Sequence, residues 1–499
     1  MHPSAGSVRR VREPIKRLRG RLGALSAILA GAVALRLLAG VAFANYDTLY
    51  ALSWGGQLAR GETPAYGVPI APTPHPLLEL LGLVLYPLGV RTELEVILAL
   101  GFGALAACGW VIYSLGRRWF GAAAGLLAAA VFETRAEVLN YGVRAYLDIP
   151  YLLFVLGAVL VEVRRPRAGA PVLGLLALAG LLRPEAWVFS GLYWLYLMDL
   201  LPAALRAHLP AGERPRGRGR IAALALLTGL GPLVWVGSDL LITGQPLWSL
   251  TNTRHTASTL GRTTGLLNVP EYIPKRIGEI LRPPVLLGAG IGGVLTLRWV
   301  FARALPGALL GILAVLVFAA FATAGLPINT RYAFLAAAIL CLFCGAGVFG
   351  WMNLEQGDPR RRIWMGLGAV TAVALIAYAP ANYREANREF TKLARQERIE
   401  NDLTALVGTD AINLRCGPVG VPNHAPIPLL SLYLQASPEE IQSAQVGHIS
   451  SGIYVDPASA EVEADYVLDK NDPHEAVAVP PGFTESAANR SWRIYRRCS

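Results

Sequence analysis

Long apolar stretches run through the first three quarters of the chain. Residues 22–43, 221–242, 306–325 and 332–350 are each close to the roughly 20 residues that an α-helix needs to cross the hydrocarbon core of a bilayer. One soluble core cannot bury so many stretches of that length, so we interpret them as membrane spans. The full pattern predicts an all-α polytopic membrane domain of about eleven transmembrane helices over residues 22–381.

The composition supports this interpretation. The chain of 499 residues is 54% hydrophobic and 16% charged, with a mean hydropathy of +0.43, whereas an average soluble protein carries about 25% charged residues. A basic arm, residues 1–21, precedes the first stretch as it would in a signal peptide. Because no small-residue cleavage site follows and many more spans do, we expect this first helix to be retained.

Lysine and arginine are distributed unevenly between the two sets of connections. The basic arm and every second connection after it contain 22 of these residues, and the short connections of the other set contain 11. Because cytoplasmic loops retain positive charge, the N-terminus is predicted to be cytoplasmic. An odd number of spans then places the C-terminal tail outside, in a multi-pass protein of the cytoplasmic (inner) membrane.

The tail, residues 382–499, has the composition of a soluble domain. It carries 11 basic and 16 acidic residues and is net negative, so the net positive charge of the chain comes entirely from the membrane part. The pI of about 9.6 therefore indicates topology and contact with anionic membrane lipids, not nucleic-acid binding. Helical patterns at 397–407 and 438–445, with strand-like runs at 464–468 and 492–495, predict a small extracytoplasmic α/β domain.

Two of the five cysteines lie in the tail. Cys108, Cys341 and Cys344 fall in apolar spans, where a thiol behaves as a small hydrophobic group. In an oxidising exterior, Cys416 and Cys498 could form one disulfide that closes the tail. Two unpaired thiols are the alternative.

Two connections on the outer face are long. Residues 45–92 and 245–282 both fall there, and connections of this size in a compact protein are usually functional. Within the first, residues 77–88 are amphipathic, short and flanked by proline. They predict an interfacial helix rather than a span.

Ionisable residues cluster where four helices reach the same outer plane. Charge at such depth is costly and usually lines a polar cavity. The cluster comprises Asp47 after the first span, Glu133, Arg144 and Asp148 near the third, Arg183 and Glu185 at a later turn, and Arg331 with Tyr332. A transporter would more often place such groups near the membrane midplane, between repeated halves, and the sequence shows no such repeat. The pattern favours an enzyme. A lipid or solute transporter or flippase of the cell envelope is one alternative, and a non-catalytic envelope scaffold is another.

The order of these features resembles the C-type (GT-C) integral-membrane glycosyltransferases. These enzymes take sugars from polyprenyl-phosphate carriers outside the cytoplasmic membrane, and they include aminoarabinose, protein O-mannosyl and arabinofuranosyl transferases. The similarity covers residues 22–332, with an Asp in a long first outer loop, a proline-rich segment before an interfacial helix, the stretch Gly-Arg-Arg-Trp-Phe-Gly at 116–121, a charged outer loop and an Arg-Pro turn. The double-acid motif of several members is absent, since Thr48 follows Asp47.

The resemblance implies that Asp47 is the catalytic base, because the family places this carboxylate in the first outer loop. Asp47 would deprotonate or orient an acceptor hydroxyl while its oxygen attacks the anomeric carbon. Cations would stabilise the charge on the departing lipid phosphate. The candidate donor-binding residues are Arg144, Arg183, Arg254, His255, Arg262, Arg331, Tyr332 and His75, and the supporting carboxylates are Glu133, Asp148 and Glu185.

Structural alternatives exist for each of these roles. Asp47 could be an ordinary helix-end carboxylate, any single Arg a lipid-headgroup anchor, and His75 a capping residue in a rigid turn. Aromatic residues could stack on sugar or belong to the interfacial belt of a membrane protein. The residues concerned are Trp187, Trp194 and Trp248.

No His or Cys residues have metal-ligand spacing. No metal or other cofactor is therefore expected to be required, although Glu133 and Asp148 could hold a divalent cation. The sequence predicts a bacterial membrane glycosyltransferase of cell-wall or envelope biogenesis. Its partners would be a polyprenyl-phosphate-linked sugar and an extracytoplasmic glycan, lipid or protein acceptor.

The distribution of basic residues generates a topology prediction. Reporter fusions to the tail should be active only outside the cytoplasm, and fusions to the basic arm only inside it. A tail fusion that is active only in the cytoplasm would reverse the predicted orientation.

Overall fold

The computed structural model describes residues 5–210, 212–467 and 478–498. Within them the chain is mainly helical, with one small sheet near the C-terminus. The helices are α1 (Ala5–Ala39), α2 (Tyr46–Ala59), α3 (Pro76–Leu85), α4 (Val90–Phe120), α5 (Ala122–Glu133), α6 (Ala136–Val143), α7 (Asp148–Arg164), α8 (Ala170–Leu182), α9 (Glu185–Leu197), α10 (Ala203–Arg206), α11 (Arg218–Thr243), α12 (Trp248–Thr259), α13 (Val269–Trp299), α14 (Phe301–Thr323), α15 (Phe334–Phe349), α16 (Pro359–Gly408), α17 (Ile427–Leu434) and α18 (Ala460–Val462). The strands are β1 (Val419–Val421), β2 (Ile441–Ser443), β3 (Gly452–Pro457), β4 (Thr484–Ala488) and β5 (Trp492–Arg497).

The helices confirm a multi-pass membrane domain. In the described part of the chain, seven helical segments are long and apolar enough to cross a membrane, or eight if the bent pair α6 and α7 forms one span. Shorter apolar helices at 76–88, 122–133 and 170–182 accompany them. The count of about eleven spans and the orientation in the membrane stay predictions.

Helix α15 lies at the centre of this domain. Nearly all of its residues are buried, whereas residues 22–39 of α1 are all at least partly exposed. Its neighbour α13 packs backbone to backbone against it, because a Cβ added at Gly292 would overlap the carbonyl of Phe343. The 3₁₀ turn Thr330–Ala333 leads directly into α15. A residue in that turn is therefore held by the most enclosed part of the structure.

The two segments predicted as long outer connections are largely helical. Residues 45–92 contain α2, α3 and the 3₁₀ turn Tyr86–Leu88, and residues 245–282 contain α12 and the first part of α13. Helix α3 begins with Pro76 in its first turn, where proline's missing N–H costs nothing. It packs closely on α2, since a Cβ at Gly55 would lie 2.5 Å from the carbonyl oxygen of Glu79.

A single helix, α16, joins the membrane domain to the tail. It is 50 residues long, and Asp358 caps its N-terminal end. The predicted boundary between the membrane domain and the tail, at residues 381–382, lies inside this helix, which continues through it without interruption. The tail therefore begins as a continuation of a helix that is long enough to span the membrane.

The tail contains a mixed five-stranded sheet of order β2-β1-β3-β5-β4. Strand β1 is parallel to β2 and β3, whereas β5 is antiparallel to β3 and β4. The prediction of a small α/β domain is confirmed, and the run at 492–495 lies in β5. Two local predictions were wrong: 438–445 forms a 3₁₀ turn followed by β2, and 464–467 lies in a π-helical turn, with 468 outside the described residues.

The tail docks on α2 through helix α17. The hydroxyl oxygens of Ser53 and Ser431 are 2.6 Å apart and both residues are buried. The amide of Gln57 donates to Ser437 Oγ at 3.3 Å. The soluble domain is thus tied to the helix that carries Asp47.

Cys416 and Cys498 are joined by a disulfide, with their Cα atoms 5.0 Å apart. Cys416 precedes β1 and Cys498 follows β5, so the bond links the start of the sheet to the end of the chain. Loss of this cross-link in Cys498→Ser should lower the free energy of unfolding of the tail by about 2–4 kcal/mol. Thermal unfolding and protease resistance of the tail would measure the change.

Reducing agent supplies the control for this experiment. It should destabilise the tail of the native protein and have no further effect on Cys498→Ser. Labelling of both sulfurs in unreduced, unfolded protein would show that the bond is not formed.

Candidate functional site

Asp47 is fixed by the capping residue of its own helix. Asn45 Oδ1 accepts hydrogen bonds from the backbone N–H groups of Asp47 (2.9 Å) and Thr48 (3.3 Å), which otherwise would have no partner at a helix start. The Asn45 side chain also donates to the carbonyl of Arg144 at 3.0 Å, and Thr48 Oγ1 donates to that of Ala145 at 2.9 Å. The first turn of α2 is therefore tied to the turn between α6 and α7.

An ion pair joins Asp47 to the start of α15. Arg331 Nη1 lies 2.6 Å from Asp47 Oδ2 and 4.0 Å from Asp148 Oδ2. The Asp47 side chain is 13% exposed and that of Arg331 is 20% exposed. Both groups therefore keep limited access from outside the protein.

A second, more buried ion pair lies beside the first. Arg183 Nη2 is 2.6 Å from Asp148 Oδ1, and Arg183 Nη1 is 3.3 Å from Glu185 Oε1. Pro184 favours an extended backbone at Arg183, which ends α8 and turns the side chain out of the helix. The guanidinium lies over the ring of Tyr332, 4.6 Å from its centroid. Two arginines and three carboxylates thus form one connected group.

Four of these five residues, all except Asp148, line a cavity of about 760 Å³. Helices α2, α11 and α12, the turn before α15 and the tail all contribute to its wall. Its lining includes Tyr46, Asp47, His75, Tyr141, Arg183, Glu185, Trp187, Trp235, Asp239, Arg262, Arg276, Arg331, Tyr332 and His424.

His75 lies in the wall of this cavity and is 7% exposed. It occupies the position before α3, but its side chain makes no capping hydrogen bond. Its backbone N–H donates to Glu79 Oε1 at 2.8 Å, and the hydroxyl of Tyr66 donates to Glu79 Oε2 at 2.5 Å. The turn is therefore held by Glu79, while the imidazole is hydrogen-bonded to the backbone of Leu182 and its Nδ1 atom has no partner among the described residues.

The charge states of Asp47 and His75 follow from these surroundings. Burial opposes ionisation of Asp47, but the charge and hydrogen bond of Arg331, with Arg183 nearby, outweigh it and lower the pKa of Asp47. Burial lowers the pKa of His75 to about 3, with Arg183 and Arg331 acting in the same direction against Asp47. At neutral pH Asp47 is a carboxylate and His75 is an uncharged imidazole.

Several predicted site residues lie outside the cavity. The Arg144 guanidinium lies 5.2 Å from the ring centroids of both Phe43 and Tyr146. Arg254 and His255 are exposed on α12, and Arg254 Nε donates to the carbonyl of Ala324. Glu133 packs against Gly109 of α4, beside Cys108. These four side chains contact other parts of the protein or solvent and do not contribute to the cavity wall.

The remaining predicted residues are brought together. Asp47, His75, Arg183, Glu185, Arg262, Arg331 and Tyr332 line the cavity, and Asp148 reaches it through Arg183 and Arg331. Among the tryptophans, Trp187 lines the cavity, and Trp194 and Trp248 do not. In the described ranges, no group of three or more His, Cys, Asp or Glu residues is arranged to hold a metal ion.

Several other residues that line the cavity were not predicted from the sequence. Arg276 lies in the predicted outer segment 245–282, so its basic side chain was a signal that could have identified it. Trp235 and Asp239 lie inside an apolar span and looked like part of it. His424 lies far along the tail and stacks edge-on against Tyr46, with ring centroids 5.5 Å apart. Only the docking of the tail on α2 could reveal that contact.

Comparisons with known proteins identify the fold. Neither protein-family models nor curated proteins match the sequence. Among solved structures, ArnT from Cupriavidus metallidurans, bound to undecaprenyl phosphate, matches with a TM-score of 0.55 and 12% identity, over 95% of this chain and 98% of ArnT. At this identity the likeness shows a shared fold.

Two further solved structures are less similar. The archaeal oligosaccharyltransferase AglB from Archaeoglobus fulgidus, in complex with an inhibitory peptide and a dolichol phosphate, gives a TM-score of 0.49 at 11% identity, over 90% of this chain and 71% of AglB. The arabinofuranosyltransferase AftD from Mycobacteria gives 0.48 at 14% identity, over 95% of this chain and 39% of AftD.

The cap at Asn45 generates a stability prediction. Asn45→Ala removes the acceptor for two backbone N–H groups and the donor to the Arg144 carbonyl, so it should lower the free energy of unfolding by about 1–2 kcal/mol. Thermal unfolding of the purified protein in detergent would measure this loss of stability. Thr48→Ser, which keeps the hydroxyl, is the matched control, and equal melting of Asn45→Ala and the native protein would contradict the proposed cap.

Proposed function

Because the chain has the fold of the C-type membrane glycosyltransferases, we propose that it transfers a sugar from a polyprenyl-phosphate donor to an extracytoplasmic acceptor of the cell envelope. The observation that carries the proposal is the Asp47–Arg331 ion pair in the wall of a large cavity. The reaction needs one carboxylate for the acceptor hydroxyl and cations for the leaving phosphate. The pair offers both, and ArnT with undecaprenyl phosphate supports this class of donor.

Asp47 is the proposed base. Its Oδ2 atom holds Arg331, and Oδ1 receives no hydrogen bond from any described residue. An acceptor hydroxyl would give its proton to Asp47 as its oxygen bonds to the anomeric carbon. The bond between that carbon and the phosphate oxygen breaks, and its electron pair leaves with the polyprenyl phosphate.

Arg331 links donor binding to the strength of this base. With its pKa lowered, Asp47 is a poor proton acceptor while Arg331 is paired with it. A donor phosphate that attracts Arg331 would weaken this pairing and raise the pKa of Asp47. The base would thus become effective when the donor is in place.

The arginines are proposed to carry the phosphate charge without a metal ion. Arginine binds phosphate through paired donors, and Arg183, Arg331, Arg262 and Arg276 all line the cavity. Arg183 is held by Asp148 and Glu185. Asp148 therefore has the role of a positioning residue for the two inner arginines.

The tail is proposed to border the acceptor's path. His424 and Tyr46 meet at the cavity wall, where the docked soluble domain adjoins α2. If the tail lies outside the cytoplasm, an extracytoplasmic glycan, lipid or protein could approach Asp47 along this border.

Asp47→Asn tests the proposal most directly. The change keeps the size of the side chain and removes its charge, so sugar transfer should fall by about 10² to 10⁴, whereas polyprenyl-phosphate binding should change little. Turnover would be measured with polyprenyl-phosphate sugars, and retained carrier lipid by mass spectrometry of the purified protein.

Asp148→Asn is the matched comparison. Loss of its charge leaves Arg183 paired with Glu185 alone. The change should weaken donor binding more than it slows the bound complex, which gives a rise in KM larger than the fall in kcat. Near-normal turnover of a folded, donor-binding Asp47→Asn protein would remove Asp47 from the mechanism.

A further inference from the structure

An aromatic wall lies beside the ion pairs in the same cavity. His75 and Trp235 meet edge to face with their ring centroids 5.9 Å apart, and Trp187 packs on Trp235 at 5.7 Å. All three residues line the cavity. Aromatic walls with a few placed polar atoms are typical of pockets that bind small organic groups.

Two polar atoms of this wall have no protein partner. Trp235 is 4% exposed and His75 is 7% exposed, and among the described residues neither Trp235 Nε1 nor His75 Nδ1 has a hydrogen-bond partner. Buried polar groups are nearly always paired, because leaving them unpaired costs folding free energy. By contrast, Trp187 Nε1 donates to the carbonyl of Gly180 at 2.9 Å. The unpaired atoms therefore point to a ligand.

The charged groups around this wall are already engaged. Asp47 is paired with Arg331, and Arg183 with Asp148. Asp239, one helical turn after Trp235, accepts from Ser249 N at 2.8 Å with one oxygen and from Ser249 Oγ at 2.7 Å with the other.

The two unpaired groups are themselves uncharged. The Trp235 N–H is only a donor, and the pKa of His75, about 3, keeps the imidazole neutral. The Trp235 N–H would repel a ligand ammonium, and the arginines described beside this wall, Arg183 and Arg331, are already paired with carboxylates. Hydroxyl groups, which both donate and accept, suit these partners best.

We propose that His75 and Trp235 form the subsite for the donor's sugar ring, and that the transferred sugar is uncharged and recognised through its hydroxyls. The inference rests on the proposed function. It also fits the position of the base, because Asp47 lines the same cavity as His75 and Trp235.

Binding measurements can isolate the sugar from its carrier. The affinity of the full-length protein in detergent would be measured for undecaprenyl phosphate and for its glucose, mannose, arabinofuranose and 4-amino-4-deoxyarabinose derivatives. At least one neutral sugar should raise the affinity over that of undecaprenyl phosphate. Trp235→Phe keeps the ring and loses the N–H, so it should reduce this gain about five- to tenfold and leave the affinity for undecaprenyl phosphate unchanged.

Two further variants complete the test. His75→Asn should also reduce the gain, and it replaces Trp235→Phe if that variant does not fold. Trp194→Phe is the matched control, because Trp194 Nε1 is likewise buried without a partner among the described residues but lies outside this cavity. The sugar should increase the affinity of this variant as much as that of the native protein.

The results separate this inference from the proposed function. Failure to bind undecaprenyl phosphate or any derivative would overturn the proposed function, and the inference with it. Three outcomes would overturn the subsite alone. The first is a sugar-dependent increase in affinity that survives in both Trp235→Phe and His75→Asn. The others are no increase with any neutral sugar, and an increase confined to the amino sugar.

Discussion

The contact between Asp47 and Arg331 joins parts of the chain 284 residues apart. One partner lies in the first turn of α2, and the other lies in the turn that enters α15, the most enclosed span. A buried ion pair is costly unless each charge keeps a well-placed counter-charge. The surrounding structure meets this condition through the cap at Asn45 on one side and the close packing of α13 on α15 on the other.

The second ion pair depends on the same arrangement. Asp148 touches Arg183 and lies 4.0 Å from Arg331, so it connects the two arginines. Its place in the first turn of α7 suits a carboxylate, because the N-terminal end of a helix carries partial positive charge. One part of the cavity wall is therefore an electrostatic unit built from the ends of different helices, and another part consists of the aromatic rings of His75, Trp235 and Trp187.

The tail belongs to this architecture. Helix α16 carries it out of the membrane domain, and α17 fixes it to α2 within hydrogen-bonding distance. Glu397 of α16 accepts from the backbone N–H of Ala42 at 3.0 Å, just before the capped start of α2. The same short segment is thus held by the membrane domain, the long helix and the soluble domain, which limits how far Asp47 can move.

The amino-acid pattern was enough to predict the membrane character, the small α/β tail and the grouping of charges at helix ends. Each follows from local pattern: apolar length for spans, composition for the soluble domain, and helix ends for the charged plane. Asp47, Arg183 and Arg331 were predictable on that basis.

The tertiary structure alone decided which side chains face one another. Glu133 and Arg144 are not among the residues that line the cavity; Glu133 packs against Gly109, and Arg144 lies against the rings of Phe43 and Tyr146. Trp235 and His424 enter the cavity from an apolar span and from a distant domain. The direction of a side chain around its helix, and the docking of one domain on another, depend on packing between segments far apart in the chain, which no local pattern records.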